Sequence, residues 1–175
     1  MPLEQDHVIE TLPELLKITD GEMRQAVIKV YVQMMRMAGL DDLNSIPFTT
    51  TYKTEVPYPV HIRAVTNMAI SLAEVLADTG QKVKMDILIA GALLHDVGKL
   101  LEYSDGTGKY SGDMLKHTFT GMAVAQDIGL PAEVLHCIIY HSYEGDGRRK
   151  TVESVVVHHC DFMHFEANRA KASRP

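Results

Sequence analysis

The chain has 175 residues, of which 46% are hydrophobic and 23% charged, with 12 glycines and 7 prolines. These ordinary globular values exclude disordered, collagen-like and low-complexity chains. The formal net charge of −6, without a stripe of Lys and Arg, argues against binding to polymeric nucleic acid or to a membrane surface.

The amino-terminal part predicts helices. Apolar residues recur at spacings of three and four over about 20–38, which is typical of an amphipathic helix, and a shorter helix is predicted near 8–18. Thr19 and Glu22 have the spacing of a capping box, and Gly39 suits the C-terminal cap. These elements predict an N-terminal helical extension that packs on the rest of the chain.

After the extension, residues 46–54 are predicted to be loop or a short strand, and Pro59 suits the start of a helix. Five further helices are predicted, over about 60–78, 84–101, 114–127 and 132–142 and from 151 onward, with loops at 102–112 and 144–150. The pattern predicts an all-α compact bundle of seven helices, with residues 1–50 as the extension and 51–175 as the core domain.

Nine histidines set this sequence apart. His95 and Asp96 lie in the polar end of the helix predicted over 84–101, which is apolar on most sides, so both are expected to face the interior. A buried carboxylate must be paired or must bind a metal ion. Lys99 follows on the same helix surface, so a buried Asp96–Lys99 pair beside a packed His95 is an alternative to a metal site.

Four other predicted helices each carry one imidazole or carboxylate at an inward position. These residues are His61, His117, His141 and Asp161. Each alone is compatible with an ordinary core role. Together with His95 and Asp96 they supply nitrogen and oxygen donors suited to Fe, Mn, Zn or Ni, and bundle cores build metal sites from facing helices in this way.

The order and local sequences of these residues resemble the HD-domain metal-dependent phosphohydrolase superfamily in its two-metal form. The segment GALLHDVGK resembles the His-Asp motif of that family, with Lys99 in the usual place. The segments HTFTGMAVA and IIYHS resemble its second-metal histidine segments. The resemblance covers about residues 58–166 and implies a helical HD-type fold for that region.

The resemblance implies two divalent transition metals, with Fe or Mn favoured over Zn or Ni. The implied ligands are His61, His95, Asp96 and Asp161 for the first metal, and Asp96, His117 and His141 for the second. Asp96 would bridge the two metals, and a shared hydroxide would attack phosphorus. Asp96 and Lys99 are therefore the implied catalytic residues, with Lys99 also binding the substrate's phosphoryl oxygens.

Other arginines and histidines are weaker candidates for a role at the site. Arg148 and Arg149 follow His141 in a basic loop and could bind substrate phosphates, although such loops are more often merely solvated. His158 and His164 lie one turn either side of Asp161, so they could orient metal ligands, but a structural or surface role is favoured.

The resemblance implies hydrolysis of a small, nucleotide-like phosphate ester or anhydride. The segments around His117 and Tyr140–His141 most resemble the bacterial family that cleaves diadenosine tetraphosphate symmetrically. One alternative is an HD-type di-iron oxygenase that acts on a small polar substrate. Another is a non-enzymatic regulatory module that uses the methionines of the helix over 20–38 as an interaction face.

The sequence favours a cytoplasmic protein. Its two cysteines, Cys137 and Cys160, lack CxxC spacing, and reduced thiols are the simpler interpretation, with one disulfide as the alternative. The first residues are acidic, unlike a signal peptide. A homodimer through the extension is compatible with the pattern.

Overall fold

In the computed structural model, residues 2–103 and 115–173 are described. Their α-helices are α1 (Pro2–Thr11), α2 (Gly21–Ala38), α3 (Tyr58–Asp78), α4 (Met85–Leu94), α5 (Lys99–Glu102), α6 (His117–Asp127), α7 (Ala132–Tyr140) and α8 (Val152–Ala172). Short 3₁₀ helices cover Pro13–Lys17, Leu43–Ser45 and Tyr143–Gly145. Within these ranges the only β pairing is an isolated bridge between Pro47 and Pro57. The predicted all-α fold is confirmed.

The helix predicted over 84–101 is interrupted after Leu94, and a turn leads into α5. Gly98 lies in this turn so close to α6 that a Cβ atom there would clash with the carbonyl oxygen of His117. The helix predicted near 8–18 is likewise divided, because Pro13 begins a 3₁₀ helix after α1. The loop predicted over 102–112 lies outside the described residues beyond Tyr103.

The cap of α2 differs from the prediction. Asp20 is the N-cap, and its carboxylate accepts hydrogen bonds from the backbone N–H groups of Glu22 and Met23. The predicted capping box is wrong because the Thr19 hydroxyl donates to Asp86 Oδ2 at 2.7 Å instead. The predicted C-terminal cap is confirmed, since Gly39 has the left-handed φ of 65° that favours glycine.

Asp86 joins the extension to the first turn of α4. It accepts three hydrogen bonds, from Thr19 N at 2.8 Å, Thr19 Oγ1 at 2.7 Å and Asp20 N at 2.9 Å. Burial alone would raise the pKa of Asp86, but these hydrogen bonds lower it overall. A carboxyl with a lowered folded-state pKa stabilises the fold above its unfolded pKa, and this stabilisation is lost as the pH falls.

We expect Asp86→Asn to lower the free energy of unfolding at pH 7 by about 1–3 kcal/mol, because the charged acceptor of three hydrogen bonds is lost. The difference from wild type should shrink below about pH 4, where the aspartate is itself protonated in the unfolded chain. Urea denaturation at several pH values measures both quantities. A deficit that does not change with pH would show that the charge of Asp86 is irrelevant.

Two buried clusters hold the bundle together. The larger one joins apolar side chains of residues 1–50 to α3, α4, α5, α6 and α7. Met34 and Met35 of α2 are buried in it, whereas Met37 is 54% exposed. The methionines therefore serve mainly as core, which leaves little of them for an interaction face. The division of the chain into an extension over residues 1–50 and a core domain over 51–175 stays a prediction.

The smaller cluster lies among α3, α4, α7 and α8. It contains Cys137 and Cys160, which are both buried free thiols. Gly91 of α4 packs so tightly here that a Cβ atom would lie 2.6 Å from that of Cys137.

Helix α3 is, among the described helices, the one long and apolar enough to cross a membrane by length and composition. Core helices of soluble proteins meet the same criterion. Here α3 packs against α4 and α8 and contributes His61 and Val65 to the interior.

Candidate metal centre

The polar centre of the bundle begins where α4 ends. All residues of α4 from Ile87 to Leu94 are buried, so the helix is surrounded by other elements and its end lies in the interior. His95 and Asp96 follow directly and are 0% and 1% exposed. The apolar helix thus carries an imidazole and a carboxylate into the middle of the fold, as the sequence predicts.

The first donor group combines side chains from α3, the end of α4 and α8. His61 Nε2 lies 3.3 Å from Asp96 Oδ2 and 3.2 Å from Asp161 Oδ1. His95 Nε2 lies 3.4 Å from the same Asp96 oxygen and 3.7 Å from Asp161 Oδ1. The four donor atoms lie within 4.8 Å of one another and could hold one metal ion.

The second donor group uses the other oxygen of Asp96. His117 Nε2, at the start of α6, and His141 Nε2, just after α7, both lie 3.3 Å from Asp96 Oδ1. The two Nε2 atoms are 3.4 Å apart. These three residues could hold a second metal ion, and Asp96 is common to both groups.

The ring orientations fit metal binding. Three imidazoles have their Nδ1 protons committed to fixed acceptors: His95 to Ala92 O (2.7 Å), His141 to Ile138 O (2.8 Å) and His117 to Glu102 Oε1 (3.3 Å). In the neutral rings each Nε2 then carries a lone pair that points to the centre. Asp96 Oδ1 is buried and has no hydrogen-bond partner among the described residues. The imidazole lone pairs thus converge on a carboxylate oxygen that lacks a hydrogen-bond donor. A bound cation would supply the missing partner to all of these atoms.

The electrostatics of the centre favour positive charge. Burial would raise the pKa of Asp96, but Lys99 and His95 hold it well below its usual range. Burial opposes ionisation of Asp161 as well, yet its hydrogen bond with His61 and the nearby His95 bring its pKa to about 2. His61 is buried, which disfavours its charged form, but both carboxylates raise its pKa overall. The two aspartates are therefore anionic and attract a cation.

Lys99 is bound to this centre. Its ammonium group donates to Asp96 Oδ2 at 2.6 Å and to the carbonyl oxygen of Phe48 at 3.0 Å. Burial would lower the pKa of Lys99, but Asp96 and Asp161 raise it overall, so the group is charged. The Asp96–Lys99 pair considered as the alternative to a metal site is thus present within the donor groups.

Two further histidines contact the ligand set from outside. His164 Nδ1 lies 2.8 Å from His61 Nδ1, and the His61 ring stacks on Phe48 with centroids 4.6 Å apart. His158 Nδ1 donates to the backbone oxygen of His141 at 2.6 Å. The sequence favours a structural or surface role for both, whereas the structure gives them contacts that orient ligands. In the sequence, the indication for His158 and His164 is their spacing of one helical turn from Asp161.

We expect His164→Phe to weaken metal binding about 10- to 100-fold while the protein stays folded, because the fixed partner of His61 Nδ1 is lost but the ring volume is kept. Calorimetric titration of the metal-free protein with Mn²⁺ measures the effect. His159→Phe, on the exposed side of the same helix, is the matched control. Equal affinities of the two variants would mean that the contact with His61 does not position it.

A cavity of about 270 Å³ opens above the donor groups, and Asp96, His117, His141 and Asp161 line it. The other lining side chains fall into a polar set and an aromatic set. The polar set includes Thr49, Thr50, Thr51, Lys99 and Lys116, and the aromatic set includes Tyr143, Phe162 and Phe165. The donor groups are therefore accessible to a small molecule.

Arg148 and Arg149 are not among the described residues that line this cavity. The Arg149 guanidinium donates to the backbone oxygen of Ser142 at 2.7 Å and thereby holds its own loop. Lys116, which sequence reasoning missed, lines the cavity instead. The sequence indicates a role for Lys116 only through its position next to His117. No residue pattern distinguishes it from other surface lysines.

Comparison with known proteins agrees with this geometry. The sequence matches the HD domain family over residues 60–165. It is 34% identical, over 107 residues, to dihydroneopterin 2′,3′-cyclic phosphate phosphodiesterase of Methanocaldococcus jannaschii, a match that covers 58% of this chain and 43% of the relative. It is 22% identical, over 182 aligned positions, to 3′-5′ exoribonuclease YhaM of Listeria innocua, covering 95% of this chain and 56% of the relative.

The chain spans about half the length of these curated relatives. No solved structure shows a significant match to it. The family match covers more than half of the chain and includes both donor groups in full. The chain therefore belongs to the HD domain family.

Proposed function

We propose that the protein is a metal-dependent phosphohydrolase that cleaves a small, nucleotide-like phosphate ester or anhydride. One observation carries this proposal: a single buried carboxylate, Asp96, faces two separate groups of donors at the base of an accessible cavity. Paired metal sites of this kind are suited to phosphoryl transfer to water. Lys99 adds a fixed positive charge beside them.

The named activities of the two relatives support this choice. The archaeal relative is named as a phosphodiesterase of a 2′,3′-cyclic phosphate, and the Listeria relative as a 3′-5′ exoribonuclease. Both names describe cleavage at phosphate esters. The cavity of about 270 Å³ is slightly smaller than the roughly 300–1,000 Å³ typical of small-molecule sites, which favours a small substrate over a polymer.

Two divalent metal ions, for which we propose Fe or Mn, would activate water and offset charge on the phosphoryl oxygens when bound. The residues of the chain supply the rest. Asp96 joins the two donor groups, so it fixes their separation. The backbone carbonyls of Ala92 and Ile138 hold the protons of His95 and His141 away from the centre, which keeps these imidazoles available as donors.

Lys99 acts on the substrate in this proposal. Its ammonium group is held by Asp96 and by the carbonyl of Phe48, so it is pre-positioned before substrate arrives. It can then donate a hydrogen bond to a phosphoryl oxygen or to the leaving oxygen as negative charge develops there. Since its pKa is raised, the group stays protonated through the neutral range.

Elemental analysis tests the donor groups. Protein purified without chelator should contain about two transition metals per chain, and His117→Ala/His141→Ala should contain about one, because only the second donor group is removed. Glu133→Ala, at a partly exposed carboxylate of α7 that pairs with Lys84 away from the donor groups, is a control for surface binding. One metal or none in the wild type, even with added Mn²⁺ or Fe²⁺, would contradict the two-metal proposal.

A substrate panel tests the reaction. It should contain 2′,3′-cyclic nucleotides, diadenosine tetraphosphate, nucleoside monophosphates and a short RNA, each assayed for phosphate-ester cleavage. Parallel oxygen-electrode measurements test the di-iron oxygenase alternative. Hydrolysis of at least one small phosphate without oxygen uptake is expected. Oxygen uptake without cleavage of any phosphate would replace the hydrolase by the oxygenase.

A further inference from the structure

The cavity has an aromatic part that the hydrolytic chemistry does not use. Tyr143 lines the cavity and is 66% exposed, so its ring is available to a ligand. Phe162 lines the same cavity, and its ring centroid lies 4.8 Å from that of Tyr143. An exposed aromatic surface inside a cavity that also holds donor groups is typical of a ligand-binding site.

The two rings meet nearly at right angles, with an interplanar angle of 88°. A flat ligand ring that stacks on one of them therefore presents its edge to the face of the other. Aromatic rings favour both of these arrangements. The Phe162 ring is supported from another side by His158, whose centroid is 4.5 Å away, so this corner is already formed without ligand.

The corner is close to the donor groups along the chain. Tyr143 comes two residues after His141, and Phe162 directly follows Asp161. Both rings also line the same cavity of about 270 Å³ as Asp96, His117, His141 and Asp161, so one small ligand can contact the corner and the donor groups together. Thr49 and Thr51, whose hydroxyls are 3.0 Å apart, line the same cavity and can hydrogen-bond to a polar linker.

We propose that Tyr143 and Phe162 bind the planar heteroaromatic ring of the substrate, which is therefore a phosphate ester of a ring-bearing polyol such as a nucleoside. This inference rests on the proposed hydrolase function, because it places the phosphate of that substrate at the donor groups. It makes the two rings specificity-determining residues, and it predicts discrimination against phosphates that lack a ring.

AMP and ribose 5-phosphate form a matched pair of probes, since they share the sugar and phosphate and only AMP carries the ring. Calorimetry on protein purified without chelator should show that AMP binds at least about five-fold more tightly than ribose 5-phosphate. This difference is the one expected when a single base stacks on an aromatic side chain. The ratio of the two affinities should fall to near one in Tyr143→Ala and should be kept in Tyr143→Phe. Phe119→Ala, an exposed phenylalanine outside the cavity lining, should keep the wild-type ratio.

Hydrolysis of 2′,3′-cyclic AMP and of glycerol 1,2-cyclic phosphate separates this inference from the function it rests on. A wild-type protein that cleaves both equally well and binds AMP no better than ribose 5-phosphate overturns the ring site but keeps the hydrolase. A protein that cleaves neither, yet shows the affinity ratio and its loss in Tyr143→Ala, keeps the ring site and overturns the hydrolase. A ratio that Tyr143→Ala leaves intact also overturns the ring site.

Discussion

Asp96→Asn is expected to lower phosphate hydrolysis by about 10³-fold and to reduce the bound metal from about two ions per chain to at most one. Asp96 is 1% exposed, and its two oxygens face different donor groups, His61 and His95 on one side and His117 and His141 on the other. An amide of the same size keeps the packing but lacks the charge that balances two cations. It also offers one oxygen where the carboxylate offers two.

Hydrolysis rates and elemental analysis of the same preparation measure this effect. Asp127→Asn is the matched control, because Asp127 is an exposed aspartate at the end of α6. Two metals per chain together with wild-type turnover in Asp96→Asn would refute a role for Asp96 in joining the two donor groups. Two bound metals together with lost turnover would instead show that Asp96 acts in catalysis and is not needed to hold the metals.

Gly98→Ala is expected to destabilise the fold by about 3 kcal/mol, at the upper end for overpacking. Its Cβ atom would clash with the backbone oxygen of His117 and would lie 2.6 Å from Thr120 Oγ1. A backbone atom cannot rotate away as a flexible side chain can, so α6 must move. Since His117 begins α6, the same movement would draw its imidazole away from Asp96 and weaken the second donor group.

Urea denaturation and metal analysis together test this. Gly21→Ala provides the control, because Gly21 begins α2 and a Cβ atom there meets nothing within 4 Å. That variant should be neutral or more stable by up to about 1 kcal/mol. If Gly98→Ala were as stable as the wild type and kept both metals, the close approach of the turn to α6 would have no energetic importance.

The helical fold could be predicted from the sequence because most helices carry their own signals. The apolar spacing of α2 and the glycine at its end are local features, as is the proline before α7. The interruption after Leu94 could not be predicted in this way. The turn places Gly98 against α6, and helical periodicity contains no information on that contact.

The donor residues could be proposed from their order along the chain, and the structure brings all six together. Their partners could not be predicted, because these contacts join distant parts of the chain. His164 is 103 residues from His61, and Glu102 contacts His117 from a helix that the sequence did not separate from α4. For the same reason the sequence could not show that Lys116 lines the cavity, nor that the Arg149 guanidinium donates to the backbone of its own loop.

The donors come from helices spread over a hundred residues, from His61 on α3 to Asp161 on α8. Such a set exists only when the whole bundle has formed, so a cation that binds it binds the folded chain and not the unfolded one. Mass action then links the two equilibria: each ten-fold rise in free metal above the dissociation constant adds about 1.4 kcal/mol to the free energy of unfolding. The resistance of this protein to heat and to proteolysis is thereby tied to the metal supply of its surroundings.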